Sequence, residues 1–100
     1  MTRRVDTQSF DLSLALTERL HRLIPGGAHT YAKGDDQYPA DTLPILVRGH
    51  GCRVWDADGN EFFEYGMGVR TVALGHAFPA VTEAAARQMQ LGSNFSRPSV

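Results

Sequence analysis

The sequence predicts an α+β fold: an N-terminal helix, a three-stranded antiparallel meander and a second helix. Three observations carry that expectation. Leu12, Leu16, Leu20, Leu23 and Ile24 recur at helical spacing. Three short β-prone runs then follow one another, separated by glycine-bearing turns. Finally, Pro79 opens a stretch that reads as a second helix through Val81, Ala84, Ala85, Met89 and Leu91. A chain of 100 residues holds about one small domain.

In chain order, residues 1–10 are expected to be a flexible lead-in and 11–100 the structured segment. The first helix runs from Asp11 to Ile24, with Ser9 or Asp11 capping its first turn. Pro25-Gly26-Gly27 stops it, because proline cannot continue a helix and glycine accepts a left-handed exit. Residues 28–44 show no period and read as a long loop containing Tyr31, Lys33, Asp35, Asp36, Tyr38 and Asp41. The strands are Ile45-Leu46-Val47, Cys52-Arg53-Val54-Trp55 and Glu61-Phe62-Phe63-Glu64-Tyr65. Asp58-Gly59 between the last two supplies the positive φ values of a tight hairpin. A glycine-bearing, mostly apolar segment, 66–76, leads to the second helix, which Gly92-Ser93-Asn94 ends. Nothing in this inventory supplies a second layer to cover both faces of the sheet, so the domain is expected to be incomplete.

Composition narrows the function classes. Hydrophobic residues make up 42% and charged residues 21%, and the net charge is −1 with scattered basic residues. That balance offers no phosphate-binding footprint, so no nucleic-acid partner is expected. No run approaches the ~18 apolar residues of a membrane span, and no apolar run follows Arg3 and Arg4, so no membrane partner is expected and the chain reads as cytoplasmic. Cys52 is the only cysteine, which rules out an intrachain disulfide. Its apolar neighbours mark it as a small buried hydrophobe.

Candidate chemistry is sparse. Asp56, Asp58 and Asn60 alternate like the front of a calcium loop, but glycine stands fourth instead of sixth, and a hairpin turn explains the same residues. His21, His29, His50 and His76 have no metal-ligand spacing; the ring of His76 is expected to hydrogen-bond nearby backbone. No serine sits in a nucleophile elbow, and no P-loop or dinucleotide fingerprint is present.

Three phrases in fixed order carry more: Ile24-Pro25-Gly26-Gly27, the run from Gly51 to Tyr65 around Trp55-Asp56-Ala57-Asp58-Gly59-Asn60, and Leu74-Gly75-His76-Ala77-Phe78-Pro79. Together, across residues 20–97, they resemble the N-terminal region of the class III aminotransferases, especially the glutamate-1-semialdehyde aminomutase branch. The resemblance implies the small N-terminal part of a fold type I pyridoxal-phosphate transferase whose whole subunit is α/β, dimeric, and acts on a small amino donor and a carbonyl acceptor.

It further implies pyridoxal phosphate as electron sink and a lysine that forms a Schiff base with it. In such enzymes that lysine, the phosphate cradle and the aspartate facing the pyridine nitrogen all lie further along the chain. The only lysine here is Lys33, so the cofactor is expected to be bound by residues outside these 100, and the segment alone to be inactive. By position, Lys33 stands where the aminomutase branch has an arginine for the substrate carboxylate; lysine keeps the charge and loses the planar fork. Gly68-Val69-Arg70-Thr71 replaces a Ser-Trp-Gly-Pro pattern, so Val69 and Arg70 take the place of an aromatic wall. Lys33, Val69 and Arg70 are thus the expected substrate-binding residues, with Arg70 either receiving an anionic or polyhydroxyl group or making a structural ion pair or interface contact. An aminotransferase, an aminomutase and a non-catalytic docking module remain the three readings.

Overall fold

A computed structural model describes residues 8–40 and 43–100. Most of the expected flexible lead-in, along with Asp41 of the long loop, lies outside the described residues. The elements are helix α1 (Asp11–Leu23), strands β1 (Leu46–His50), β2 (Arg53–Asp56) and β3 (Glu61–Phe63), a one-turn helix α2 (Met67–Arg70), and helix α3 (Pro79–Leu91). The strands form an antiparallel sheet in the order β1-β2-β3, as the sequence predicts, with an irregularity in β1 between Leu46 and Arg48. The expected loop from 28 to 44 carries two 3₁₀ turns, Tyr31–Lys33 and Asp35–Gln37, which its lack of period concealed.

The turn between β2 and β3 is not the two-residue hairpin that Asp58-Gly59 suggests. Only Gly59 has positive φ, 87°, and the Asp56 and Gly59 amides donate to Asn60 O and Asp56 O at 3.1 Å each. This is a three-residue loop, a turn followed by a left-handed glycine that forms a bulge.

The additional residue turns the Asp-x-Asp-x-Asn side chains toward the start of α1. The Asp58 carboxylate accepts the Leu12 amide at 2.8 Å and the Ser13 amide at 2.9 Å, capping the helix from 46 residues away. Ser9 reaches the Asp11 amide only at 3.5 Å, so the expected local cap is replaced by a distant one. Desolvation pushes the Asp58 pKa up, but the Leu12 and Ser13 amides and the Ser13 hydroxyl outweigh it, leaving Asp58 below the usual aspartate value. The Asn60 amide donates to both Ser9 O at 2.7 Å and Asp56 Oδ2 at 2.9 Å. Ser13 is fully buried and its Oγ accepts the Ile45 amide at 3.1 Å. Phe10 stacks on Phe62 with ring centroids 6.4 Å apart. Polar contacts therefore fasten α1 to the sheet more than apolar packing does.

That packing is thin. Among the described residues Val54 is the only buried apolar side chain. Leu12, Leu14 and Leu23 of α1 and every residue of α3 are exposed. The radius of gyration is 17.5 Å, against about 13 Å for a compact domain of this length. Pro79 opens α3 and Gly92 closes it, as the sequence predicts; its apolar stripe has nothing to cover it among the described residues.

Candidate functional site

The end of β3, α2 and the segment before α3 enclose an open groove of about 520 Å³, bordered by Cys52, Glu64, Met67, Leu74 and His76. Its geometry begins with the bridge between Gly51 and His76, whose backbones exchange two hydrogen bonds at 2.9 and 2.8 Å. This brings the His76 ring against Glu64, and His76 Nε2 and Glu64 Oε2 pair in a short contact. The His76 ring therefore finds a carboxylate, not the nearby backbone expected of it; its backbone is what closes the bridge. Cys52 is exposed at the groove, not buried: it lies in the turn between β1 and β2, with its carbonyl still paired to the Glu64 amide.

Glu64 is the group that the sequence analysis missed. Its Oε1 also accepts the Gly68 amide at 3.3 Å, and its own amide donates to Cys52 O at 2.9 Å. Strand alternation carried the signal: Phe62 and Glu64 are half-buried while Glu61, Phe63 and Tyr65 are exposed. A carboxylate on the inward parity of a strand needs a partner.

Helix α2 is unusual in hand. Met67, Gly68, Val69 and Arg70 have successive φ values of 47°, 56°, 60° and 69°, and Gly68 and Val69 have ψ of 45°, so the turn is left-handed. The conformation costs roughly 1–2 kcal/mol for each L-residue that adopts it, and is least natural for β-branched Val69. The Arg70 amide closes it on Gly66 O at 2.9 Å, the Val72 amide donates to Met67 O at 3.0 Å, and Thr71 Oγ1 donates to Gly68 O at 2.7 Å. Val69 and Arg70 are thus carried together on an exposed, strained turn, and no ion pair engages Arg70 among the described residues.

Lys33 is carried separately. It lies exposed on the 3₁₀ turn Tyr31–Lys33 and borders neither this groove nor the second one, of about 360 Å³, next to Pro25, Tyr31 and Asp35. The loop is held to α1 by His21 Nε2 and Asp35 Oδ2 at 2.8 Å. That hydrogen bond holds the Asp35 pKa below its ordinary value. No group of His, Cys, Asp or Glu among the described residues could hold a metal ion, and no helix among them is long and apolar enough to cross a membrane.

No protein-family model matches the chain. The chain is 38% identical over 88 residues to glutamate-1-semialdehyde 2,1-aminomutase of Thermus thermophilus, covering 88% of this chain and 20% of the relative. It is 53% identical over 49 residues to acetylornithine aminotransferase of Thermosynechococcus vestitus, covering 48% and 12%. A transaminase solved with pyridoxal phosphate bound superposes with a TM-score of 0.79 at 31% identity, over 91% of this chain and 20% of that one. The helices and antiparallel sheet, matched in this way, define the class: an N-terminal part of a fold type I pyridoxal-phosphate transferase. The chain's relatives in sequence are thus aminomutases and aminotransferases, and its neighbours in structure are pyridoxal-phosphate transaminases of class III. It spans about a fifth of the length of the aminomutase relatives it matches.

The family depends on pyridoxal phosphate, and the residues of this chain do not fit that cofactor by themselves. Its one amine side chain, Lys33, is exposed and lines neither of the two grooves described, both of which are open to solvent. No cofactor chemistry is assigned to these residues.

Proposed function

We propose that this chain is the N-terminal segment of a homodimeric pyridoxal-phosphate aminotransferase that moves an amino group between a small amino donor and a carbonyl acceptor. In this reading residues 11–100 belong to a domain completed elsewhere in the polypeptide, and they supply substrate contacts instead of cofactor ligands. Arg70 meets an anionic or polyhydroxyl group, Val69 forms an apolar wall beside it, and Lys33 offers a point charge to a carboxylate. The observation that carries the reading is the presentation of Arg70 and Val69 on a strained, solvent-facing turn, within a segment that matches known transaminases over nine-tenths of its length. Aminomutase activity is the neighbouring reading, since relatives of that kind match at 38% identity.

Borohydride trapping tests the division of labour. Equimolar pyridoxal phosphate followed by borohydride should leave Lys33 unlabelled in the 100-residue chain. The same treatment of the polypeptide that contains this segment should label one lysine outside it. A stoichiometric adduct on Lys33 contradicts the proposal.

A further inference from the structure

We infer that Glu64 is a positioning residue: it clamps the left-handed turn Met67–Arg70 and thereby aims Arg70 at the substrate. The inference rests on the substrate role of Arg70 proposed above and adds the device that enforces it. Successive left-handed residues persist only where the surroundings over-determine them, and here three of the four are not glycine. The hydrogen bonds of Arg70, Thr71 and Val72 lie within or next to the turn, so they move with it and cannot fix its direction relative to the sheet.

Glu64 can. It stands one residue beyond β3, its amide bound to Cys52 O, so its backbone belongs to the sheet. One carboxylate oxygen takes the Gly68 amide, inside the turn, and the other engages His76, whose backbone is bridged to Gly51. A single half-buried side chain thus ties the turn, the sheet and the approach to α3. Arg70 stands two residues after the clamped amide. Loss of the clamp frees the turn to relax toward right-handed conformations, which redirects the side chains of Val69 and Arg70 without removing either.

The test uses the polypeptide that carries this segment with its cofactor-binding part, in steady-state kinetics with an anionic substrate. Glu64→Ala should raise KM by about tenfold, with kcat and the cofactor absorbance retained, and Glu64→Gln, which keeps an oxygen for the Gly68 amide, should recover part of the loss. In an Arg70→Ala background Glu64→Ala should raise KM no further, because an arginine that is absent cannot be misaimed. If Arg70→Ala raises KM while Glu64→Ala leaves it unmoved, or if the two effects simply multiply, the positioning role is overturned and the role of Arg70 stands. An Arg70→Ala enzyme with the parental KM overturns the substrate reading, and the aiming of Arg70 falls with it. Should Glu64→Ala fail to fold, Glu64→Gln carries the same comparison: KM equal to that of the parent, or the same rise with and without Arg70, overturns the inference.

Discussion

Arg70→Ala, in the polypeptide that carries this segment, should raise the KM for an anionic substrate by about 10- to 100-fold while the cofactor absorbance stays as it was. The magnitude follows from a hydrogen-bonded charge pair, about 1.5–3 kcal/mol. The retained absorbance follows from the structure: Arg70 makes no ion pair among the described residues, and its backbone amide, which closes the turn on Gly66, survives the substitution. Arg70→Lys should fall between the two, since lysine restores the charge without the bidentate fork. Kinetics of Arg70→Ala indistinguishable from those of the parent would remove Arg70 from the substrate site.

The second large effect is on stability. Asp56 is 1% exposed, and its two carboxyl oxygens accept the Asn60 backbone amide at 2.7 Å and the Asn60 side-chain amide at 2.9 Å. Alanine at position 56 leaves both donors short of a partner in a part-buried turn, and the same Asn60 side chain anchors Ser9 at the entry to α1. A loss of about 2–3 kcal/mol in urea unfolding is expected. Asp56→Asn should recover part of it: one oxygen still serves the backbone amide, but an NH₂ group then faces the NH₂ of Asn60. An Asp56→Ala change within about 0.5 kcal/mol of the parent would show that the turn is not what fastens α1. With one buried apolar side chain described, few other contacts are available to absorb the loss.

These two sites show what the sequence made legible. Leucine spacing, Pro25 and Pro79 defined α1 and α3 because helix periodicity and helix stops are local properties. The meander followed for the same reason, with strand ends shifted by one to three residues. What escaped was every interaction between residues far apart in sequence. Asp58 reads as a turn residue, and nothing local announces that its carboxylate caps a helix at Leu12, 46 residues earlier. Cys52 sits among apolar neighbours, yet it lies exposed in the turn between β1 and β2. The ring of His76 reaches the Glu64 carboxylate 12 residues upstream, not the neighbouring backbone. The left-handed α2 was invisible because its conformation runs against the preference of Met67, Val69 and Arg70, and the one contact from outside the turn, Glu64 with the Gly68 amide, joins residues on two different elements. Resemblance singled out Val69 and Arg70 as candidates, but the strained turn that carries them emerged only in three dimensions.

As proposed, this segment completes an amino-transferring enzyme whose cofactor is held elsewhere in the polypeptide. The most direct measurement is the visible absorbance of the polypeptide that carries this segment, purified from its native source, on addition of an amino donor. The expected result is a species several times heavier than 11.0 kDa, whose pyridoxal-phosphate band falls when the donor is added and returns with a carbonyl acceptor. A native product of 11.0 kDa with no cofactor band, or the 100-residue chain alone giving that response, would contradict it.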